Sequence, residues 1–413
     1  MMADPCSLEP MLSAEAALDR IVSAVQPVSG AERSALKHAL GRVAAEPVRA
    51  PLPIPHYRNA AVDGYAFGSI EFERNRPVRL RVAGASWAGH PFRGRLNRGE
   101  CIRIFTGAAV PDQADSVVMQ EFAAADGDEI VLPAAVELRR FVREIGEDLQ
   151  QGELLCGEGK KLTAADLGLL ASAGVYDVAV KRPVNIAFFS TGDELIGIGQ
   201  ALSAGRIYDS NRYMLGSLLI DPCYRAADLG VIGDNREQLE AALKRAAQNH
   251  DVIITTGGAS VGEADFIAEV LGRLGEIHLW KIAMKPGKPL AFGKIGKAFF
   301  FGLPGNPVAV AVTFRQMVEP ALKRLAGQAP AHPLRIRAIC TVPLKKEPGR
   351  LEFQRGVLTQ NAQGEFFVAA GGGQGSHLLG AMARSNCYIV LPADCGGVRA
   401  NEAVWVEPFG VAL

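Results

Sequence analysis

The chain has 413 residues, more than one hydrophobic core usually serves, so several domains are expected. Lysine plus arginine (44) balances aspartate plus glutamate (44), and apolar residues make up 48% of the chain. That balance predicts a folded protein whose anion sites are local, and it excludes the global basic field of a nucleic-acid binder.

Ser13 opens an amphipathic helix with Ala17, Leu18, Ile21, Val22 and Val25 on one face, and a second short helix is expected to end at Gly41. Pro51, Pro53 and Pro55 make a stiff connector. Between residues 77 and 141, short apolar or alternating runs at 78–82, 101–105, 116–119 and 129–132 predict a small all-β domain. Thr163-Ala-Ala-Asp166 reads as a capping-box variant before a helix over 167–173, closed by Gly174 and expected to pack with the N-terminal helices.

Residues 183–328 then alternate strands with helical patterns. Strands are expected at 185–190, 229–232, 251–256, 277–284 and 298–301, with helices after Ser210, at 235–248, near 264–274 and from 308 to about 325. That pattern predicts a doubly wound α/β domain with a largely parallel sheet. Short strands at 334–342 and 387–391, broken by the Gly371–Gly375 cluster, predict a barrel-like C-terminal β domain. The domains expected are therefore 1–50 with 143–182 (helical), 51–142 (inserted small β), 183–328 (α/β) and 329–413 (β), an α/β plus β chain.

No apolar run approaches the roughly 20 residues that cross a bilayer, and the start carries Asp4 and Glu9 rather than a basic leader. A cytoplasmic protein with no membrane partner is the expectation. Seven scattered cysteines without C-x-x-C, and histidines without H-E-x-x-H, point to neither a disulfide framework nor a zinc site.

In open parallel sheets ligands sit beyond the carboxyl ends of the strands. Three such junctions stand out: Phe188-Phe-Ser-Thr-Gly-Asp-Glu194, Ile253-Ile-Thr-Thr-Gly-Gly-Ala-Ser-Val-Gly-Glu-Ala-Asp265 and Phe300-Phe-Gly-Leu-Pro-Gly-Asn-Pro307. Glycines there, such as Gly257 and Gly258 ahead of Ser260, let backbone N–H groups approach an anion. Neither a Walker A sequence nor G-x-G-x-x-G is present, which argues against a P-loop ATPase or a dinucleotide oxidoreductase. Glu194 and Asp265 suit either a divalent cation such as Mg2+ or simple helix capping. An extended 281–285 segment would put Lys281, Ala283 and Lys285 on one face, with Lys288 on a Pro-Gly turn, so three ammonium groups would converge to neutralise an oxyanion and a phosphate.

Together these segments resemble the MoeA family and the related gephyrin E domain along nearly the whole chain. The motifs are Asn59-Ala-Ala-Val-Asp-Gly-Tyr-Ala66, Ile104-Phe-Thr-Gly-Ala-Ala-Val-Pro111, Arg143-Glu-Ile-Gly-Glu-Asp148, Tyr208-Asp-Ser-Asn211, Lys285-Pro-Gly-Lys-Pro289, Leu303-Pro-Gly-Asn-Pro307, Pro348-Gly-Arg-Leu-Glu-Phe-Gln-Arg355 and Gln374-Gly-Ser-His377, with the first two strand-end loops. The resemblance implies elongated four-domain subunits in a homodimer. It further implies an α/β domain of the molybdopterin-binding type and Mg2+-dependent insertion of molybdate into adenylylated molybdopterin, with release of AMP. The molybdopterin adenylyltransferase, which makes the intermediate, is implied as a partner.

Carried over by position, Asp63, Thr106, Glu194, Asp234 and Asp265 match acidic or hydroxyl positions important for activity. Lys281, Lys285, Lys288, Arg355 and Ser376 match the anion and molybdate pocket, Arg143 and Asp148 a pair in the link back to the first domain, and Pro304 and Pro307 the third loop. Phe141, Val142 and Ala109 depart from the family pattern and bear on local loop shape. Two other readings are an adenylyltransferase, which the α/β domain alone resembles, and a scaffold of the gephyrin kind.

Overall fold

A computed structural model describes residues 11–69, 76–257, 265–329 and 333–410, without the side chains of 265–268. The first helix, α1 (Ala14–Ala24), starts where expected, with the Ser13 hydroxyl accepting from the Ala16 N–H at 3.0 Å. Its buried face, Ala17, Ile21 and Val25, joins the core of the α/β domain rather than the second helix, α2 (Ala164–Ser172). The helix expected before Gly41 is only a 3-10 turn, Leu36–His38, and the strand Ala31–Ala35 before it pairs antiparallel with Asp177–Lys181. The strand Ala-Glu-Arg-Ser-Ala buries only Ser34, so a helix there would have no apolar stripe to bury, whereas a partner strand satisfies its backbone.

The domain expected to be helical is thus mixed, with α2 packed on short strand pairs through Leu170, Ala173, Val178 and Val180. Its capping box is present: Thr163 Oγ1 accepts from the Asp166 N–H at 3.3 Å, and Asp166 Oδ2 accepts from the Thr163 N–H at 2.9 Å. The inserted domain is a six-stranded sheet containing all four expected runs. Successive residues such as Ala66 and Phe67, or Ile102 and Cys101, enter two separate small cores, as the pleat of a strand requires.

The α/β sheet comprises β1 (Val184–Thr191), β2 (Tyr224–Ile232), β3 (Val252–Thr256), β4 (Gly275–Lys281), β5 (Pro289–Ile295) and β6 (Ala298–Leu303), in the order β2-β1-β3-β6-β5-β4. The first four of that order run parallel; β5 and β4 are antiparallel additions. The strand expected over 277–284 is shorter at its end, and β5 falls where no strand is expected. In the structure β4 stops at Lys281, and Met284–Lys285 pairs instead with Leu351 and Glu352 of the C-terminal domain. Pro289 sits at the first position of β5, where its missing N–H costs no ladder bond.

One face of the sheet is covered by α4 (Arg236–Asn249) and α5 (Asp265–Leu274) over Ala187, Phe189, Ile253 and Phe300. The other buries Ile186, Phe188, Ile254 and Phe301 under α1, α3 (Ser210–Leu218) and α6 (Pro307–Thr313), which continues through a π turn into α7 (Glu319–Leu325). In the C-terminal domain β7 (Ile336–Cys340), β8 (Leu351–Gln360), β9 (Phe366–Ala370), β10 (Cys387–Leu391) and β11 (Ala403–Pro408) run β8-β9-β7-β11-β10 and close through β8–β10 pairing. This is the expected barrel, and a short helix, α8 (Leu379–Ala383), lies against it.

Candidate functional site

The parallel register aligns Ser190, Thr256 and Leu303, so β1, β3 and β6 end side by side. Their following residues abut. Gly257 has φ +86°, and a Cβ there would lie 2.5 Å from the Thr191 carbonyl; one on Gly305 would be 4.0 Å from Gly257 Cα. At Gly257 only glycine allows such an approach of backbones, and it leaves a cleft floored by main chain.

Under that floor is a buried polar network. Ser190 Oγ donates to Asp209 Oδ1 at 3.0 Å and lies 2.9 Å from Thr256 Oγ1. Asp209 also accepts from the Arg212 N–H at 3.1 Å, and Asn211 Nδ2 donates to the Gly305 carbonyl at 2.7 Å. Asn211 Oδ1 is buried without a protein partner. Asp209 and Asn211 are visible in the motif Tyr208-Asp-Ser-Asn211, yet their types are those of any helix start; only the fold shows that Asp209 holds the end of β1 through Ser190 and that Asn211 fixes the third loop.

The acids gather at the mouth. Glu194 folds back over Gly192, where an added Cβ would strike its carboxylate. Asp193 and Asp234 bind reciprocally: the Asp234 N–H donates to Asp193 Oδ1 at 3.0 Å and the Asp193 N–H to Asp234 Oδ2 at 3.3 Å. All three are exposed, and one oxygen of each aspartate is committed to the backbone. Asp265 begins α5, downstream of the β3 loop. Its side chain, like Gly258 and Ser260, lies outside the described residues. Among the described residues no three His, Cys, Asp or Glu groups form a metal cage. One or two outward carboxylates nevertheless fit Mg2+, which keeps most of its waters and takes substrate phosphate as further ligand.

A second group meets on α6. The Ser376 carbonyl accepts from the Val308 N–H at 3.1 Å, which docks the barrel's glycine loop on the turn containing Pro304 and Pro307. From the other side Gly287 (φ +105°) packs so closely that a Cβ would lie 2.5 Å from Thr313 Oγ1, a buried hydroxyl without a protein partner. This places the Lys285-Pro-Gly-Lys288 turn against the same helix. Lys285 and Lys288 are exposed; Lys285 Nζ lies 3.3 Å from the Glu352 carboxylate. Lys281 ends β4 opposite Pro289 while Lys285 pairs with Glu352 of the barrel, so Lys281 and Lys285 do not lie on one continuous extended strand as expected; Lys288 follows on the Pro-Gly turn. Arg355 is only 1% exposed. Its Nη2 donates to the carbonyls of Gly373 (2.9 Å) and Gly375 (3.1 Å), so it stands behind the glycine loop, and burial lowers its pKa.

Asp63 and Thr106 meet in the inserted domain: both the N–H and the hydroxyl of Thr106 donate to Asp63 Oδ1, at 2.8 and 2.7 Å. These bonds hold the Asp63 carboxyl below the usual carboxylate range. Arg143 lies on a strand paired with Asn59, and the Asp148 N–H donates to the Ile54 carbonyl, so both occupy the link between the first two domains. Burial pushes the thiols of Cys101, Cys223 and Cys387 up to about 12, which leaves them no thiolate character at neutral pH.

Three family profiles match consecutive parts of the chain: the MoeA N-terminal region (domain I and II) at residues 12–174, a "Probable molybdopterin binding domain" at 187–324, and the MoeA C-terminal region (domain IV) at 337–409. A molybdopterin molybdenumtransferase of Haemophilus influenzae is 41% identical over 405 residues, covering 98% of this chain and 100% of the relative. Gephyrin of Dictyostelium discoideum is 30% identical and aligns with 90% of this chain but 58% of its own length. The crystal structure of the molybdopterin biosynthesis moeA protein from Pyrococcus horikoshii OT3 superposes with a TM-score of 0.84 at 26% identity, over 97% of this chain and 100% of that one. Matched by these profiles over most of its length and by a relative along nearly all of it, the chain belongs to the MoeA family, the molybdopterin molybdenumtransferases.

Proposed function

We propose that this chain inserts molybdate into adenylylated molybdopterin, cleaving the adenylyl group as AMP and leaving molybdenum on the dithiolene sulfurs. The observation that carries the reading is the meeting, on α6, of the glycine-floored cleft, the Lys285–Lys288 turn and the barrel's Ser376 loop. No protein nucleophile is needed: the chain has to hold a phosphoanhydride and a tetrahedral dianion in register, and orientation with electrostatic stabilisation suffices. Backbone N–H groups beyond β1, β3 and β6 take the phosphates, while Lys285, Lys288 and the Ser376 hydroxyl compensate the lost hydration of molybdate. Arg355 contributes by fixing the loop that carries Ser376.

Glu194 and Asp265 would hold Mg2+, which supplies charge neutralisation at the phosphoanhydride oxygens, with Asp234 beside them. Asp63 and Thr106, outside the α/β domain, belong to a site shared across a homodimer, with the molybdopterin adenylyltransferase as the upstream partner and the cytoplasm as location. No helix among the described residues is long and apolar enough to cross a membrane. The test is to mix the protein with adenylylated molybdopterin, magnesium and molybdate and to follow AMP and active cofactor. Molybdate-dependent release of both is expected; adenylylation of molybdopterin from ATP without insertion would overturn the assignment.

A further inference from the structure

The inserted β domain carries an aromatic stack that its own cores do not use. Its strands Gly64–Phe67 and Glu100–Ile104 are antiparallel, with Tyr65 opposite Arg103, while Val78–Ser86 runs parallel to Glu100–Ile104, with Ser86 opposite Ile104. Asp63, Trp87 and Phe105 therefore emerge together at one end of these neighbouring strands. There the Trp87 and Phe105 rings stack at 3.7 Å between centroids and 14° between planes. Behind them the Arg103 guanidinium lies 5.0 Å from both the Phe105 and Tyr65 ring centroids and donates to the Gly64 carbonyl at 3.2 Å.

Trp87 is held by a tight turn: its N–H donates to the His90 carbonyl and the His90 N–H donates back to the Trp87 carbonyl, both at 2.9 Å, with Gly89 at φ +79°. Yet the indole is 52% exposed, and neither Trp87 nor Phe105 belongs to either core of the domain. A rigid, parallel, solvent-facing aromatic pair that contributes to no core is suited to extending the stack by one more planar ring. At the same end is Asp63, whose carboxylate is fixed by Thr106. Both Thr106 bonds fall on Oδ1, so Oδ2 is the oxygen presented, and it can accept from the adjacent 2-amino and N3–H donors of a pterin's 2-amino-4-oxo edge. Adenine offers an amino donor beside a ring acceptor and matches only half of it.

We propose that Trp87 and Phe105 form the stacking platform for the pterin ring of the substrate, with Asp63 reading its 2-amino-4-oxo edge. This rests on the reading that the substrate is a molybdopterin derivative. The experiment is a titration of 6-hydroxymethylpterin, followed by the anisotropy of its own emission, with the full chain, Trp87→Ala, Trp87→Phe and Asp63→Asn. AMP serves as competitor, and KM and kcat for adenylylated molybdopterin are measured in parallel. Trp87→Ala should weaken pterin binding at least fivefold and raise KM by a similar factor while kcat stays within twofold. Trp87→Phe should restore most of both, Asp63→Asn should weaken pterin binding, and AMP should not displace the pterin. Unchanged thermal melting of Trp87→Ala is expected, since the ring lies outside both cores; where free pterin binds too weakly to titrate, the KM comparison decides.

Displacement of the pterin by AMP, with weakened AMP binding in Trp87→Ala, would make adenine the occupant and overturn the proposal. So would wild-type KM in both Trp87→Ala and Phe105→Leu while the wild type releases AMP normally, and the function proposed above would then stand without the platform. Trp87-dependent pterin binding by a chain that releases no AMP would have the opposite meaning.

Discussion

Arg355 shows how a correct residue type can serve a different part from the one its charge suggests. Arg355 is buried behind Gly373 and Gly375, and we propose it as a brace for the loop carrying Ser376, whereas Lys288 is exposed. The two positions should therefore separate by rescue. Lys288→Ala is expected to keep its urea midpoint and to raise the molybdate concentration for half-maximal cofactor synthesis, with recovery at excess molybdate. Arg355→Ala leaves two loop carbonyls unpaired, should lose about 2–4 kcal/mol in urea unfolding, and should not recover at saturating molybdate. Equal rescue of both would return Arg355 to the anion pocket.

Glu194→Gln and Asp265→Asn should leave the fold intact and shift the magnesium dependence of AMP release to higher concentration. Turnover unchanged across a magnesium titration would reduce Asp265 to an acid at the start of α5 and Glu194 to a turn residue. At this scale the strand-end glycines were legible, because few residues but glycine tolerate positive φ. Asp209 and Asn211 were not, because a cap and a loop anchor have the same composition.

Among elements, α2 is the one whose boundary the sequence specifies most closely, since the capping box is local chemistry. Thr163→Ala should cost about 1 kcal/mol of stability in denaturant unfolding. Asp166, with a side chain only 7% exposed, loses hydration on burial, which alone would raise its pKa. Bonds from Lys160 and Thr163 outweigh that and hold the carboxyl below its usual range. A carboxylate whose folded pKa is depressed adds stability that is fully present above its unfolded pKa of about 3.9 and disappears as pH falls through the folded value. The melting temperature should therefore drop below about pH 4, and Asp166→Asn should flatten that acid limb while lowering stability at pH 7. A parallel acid limb in the mutant would show that other carboxylates govern it. Where sequence misjudged an element, a distant partner decided the outcome: Ala31–Ala35 pairs with Asp177–Lys181, and β4 ends early because Met284–Lys285 pairs with Leu351 and Glu352.

At the scale of the molecule, one core unites α1, the face of the α/β sheet under α6 and α7, and the barrel residues Phe353, Tyr388 and Val390, while the inserted domain keeps two cores of its own. Calorimetry should accordingly resolve a transition for the inserted domain apart from a joint one for α/β domain and barrel; a single transition for all four domains would refute this division. Sedimentation should give about twice the 43.9 kDa chain mass if Asp63 and Thr106 complete a partner's site, and full activity of a monomer would remove that idea. The sequence by itself determined the domain order, the parallel strands, the capping of α1 and α2, the glycine loops and the family, because periodicity, caps and turn residues act within a few positions of each other. Only the tertiary structure decided that α1 packs on α7, that Met284 pairs with Leu351, that Arg355 faces inward and that Trp87 stacks on Phe105. Those outcomes depend on which distant surfaces meet, and their free energy lies in shared burial and in backbone bonds between segments that no local pattern joins.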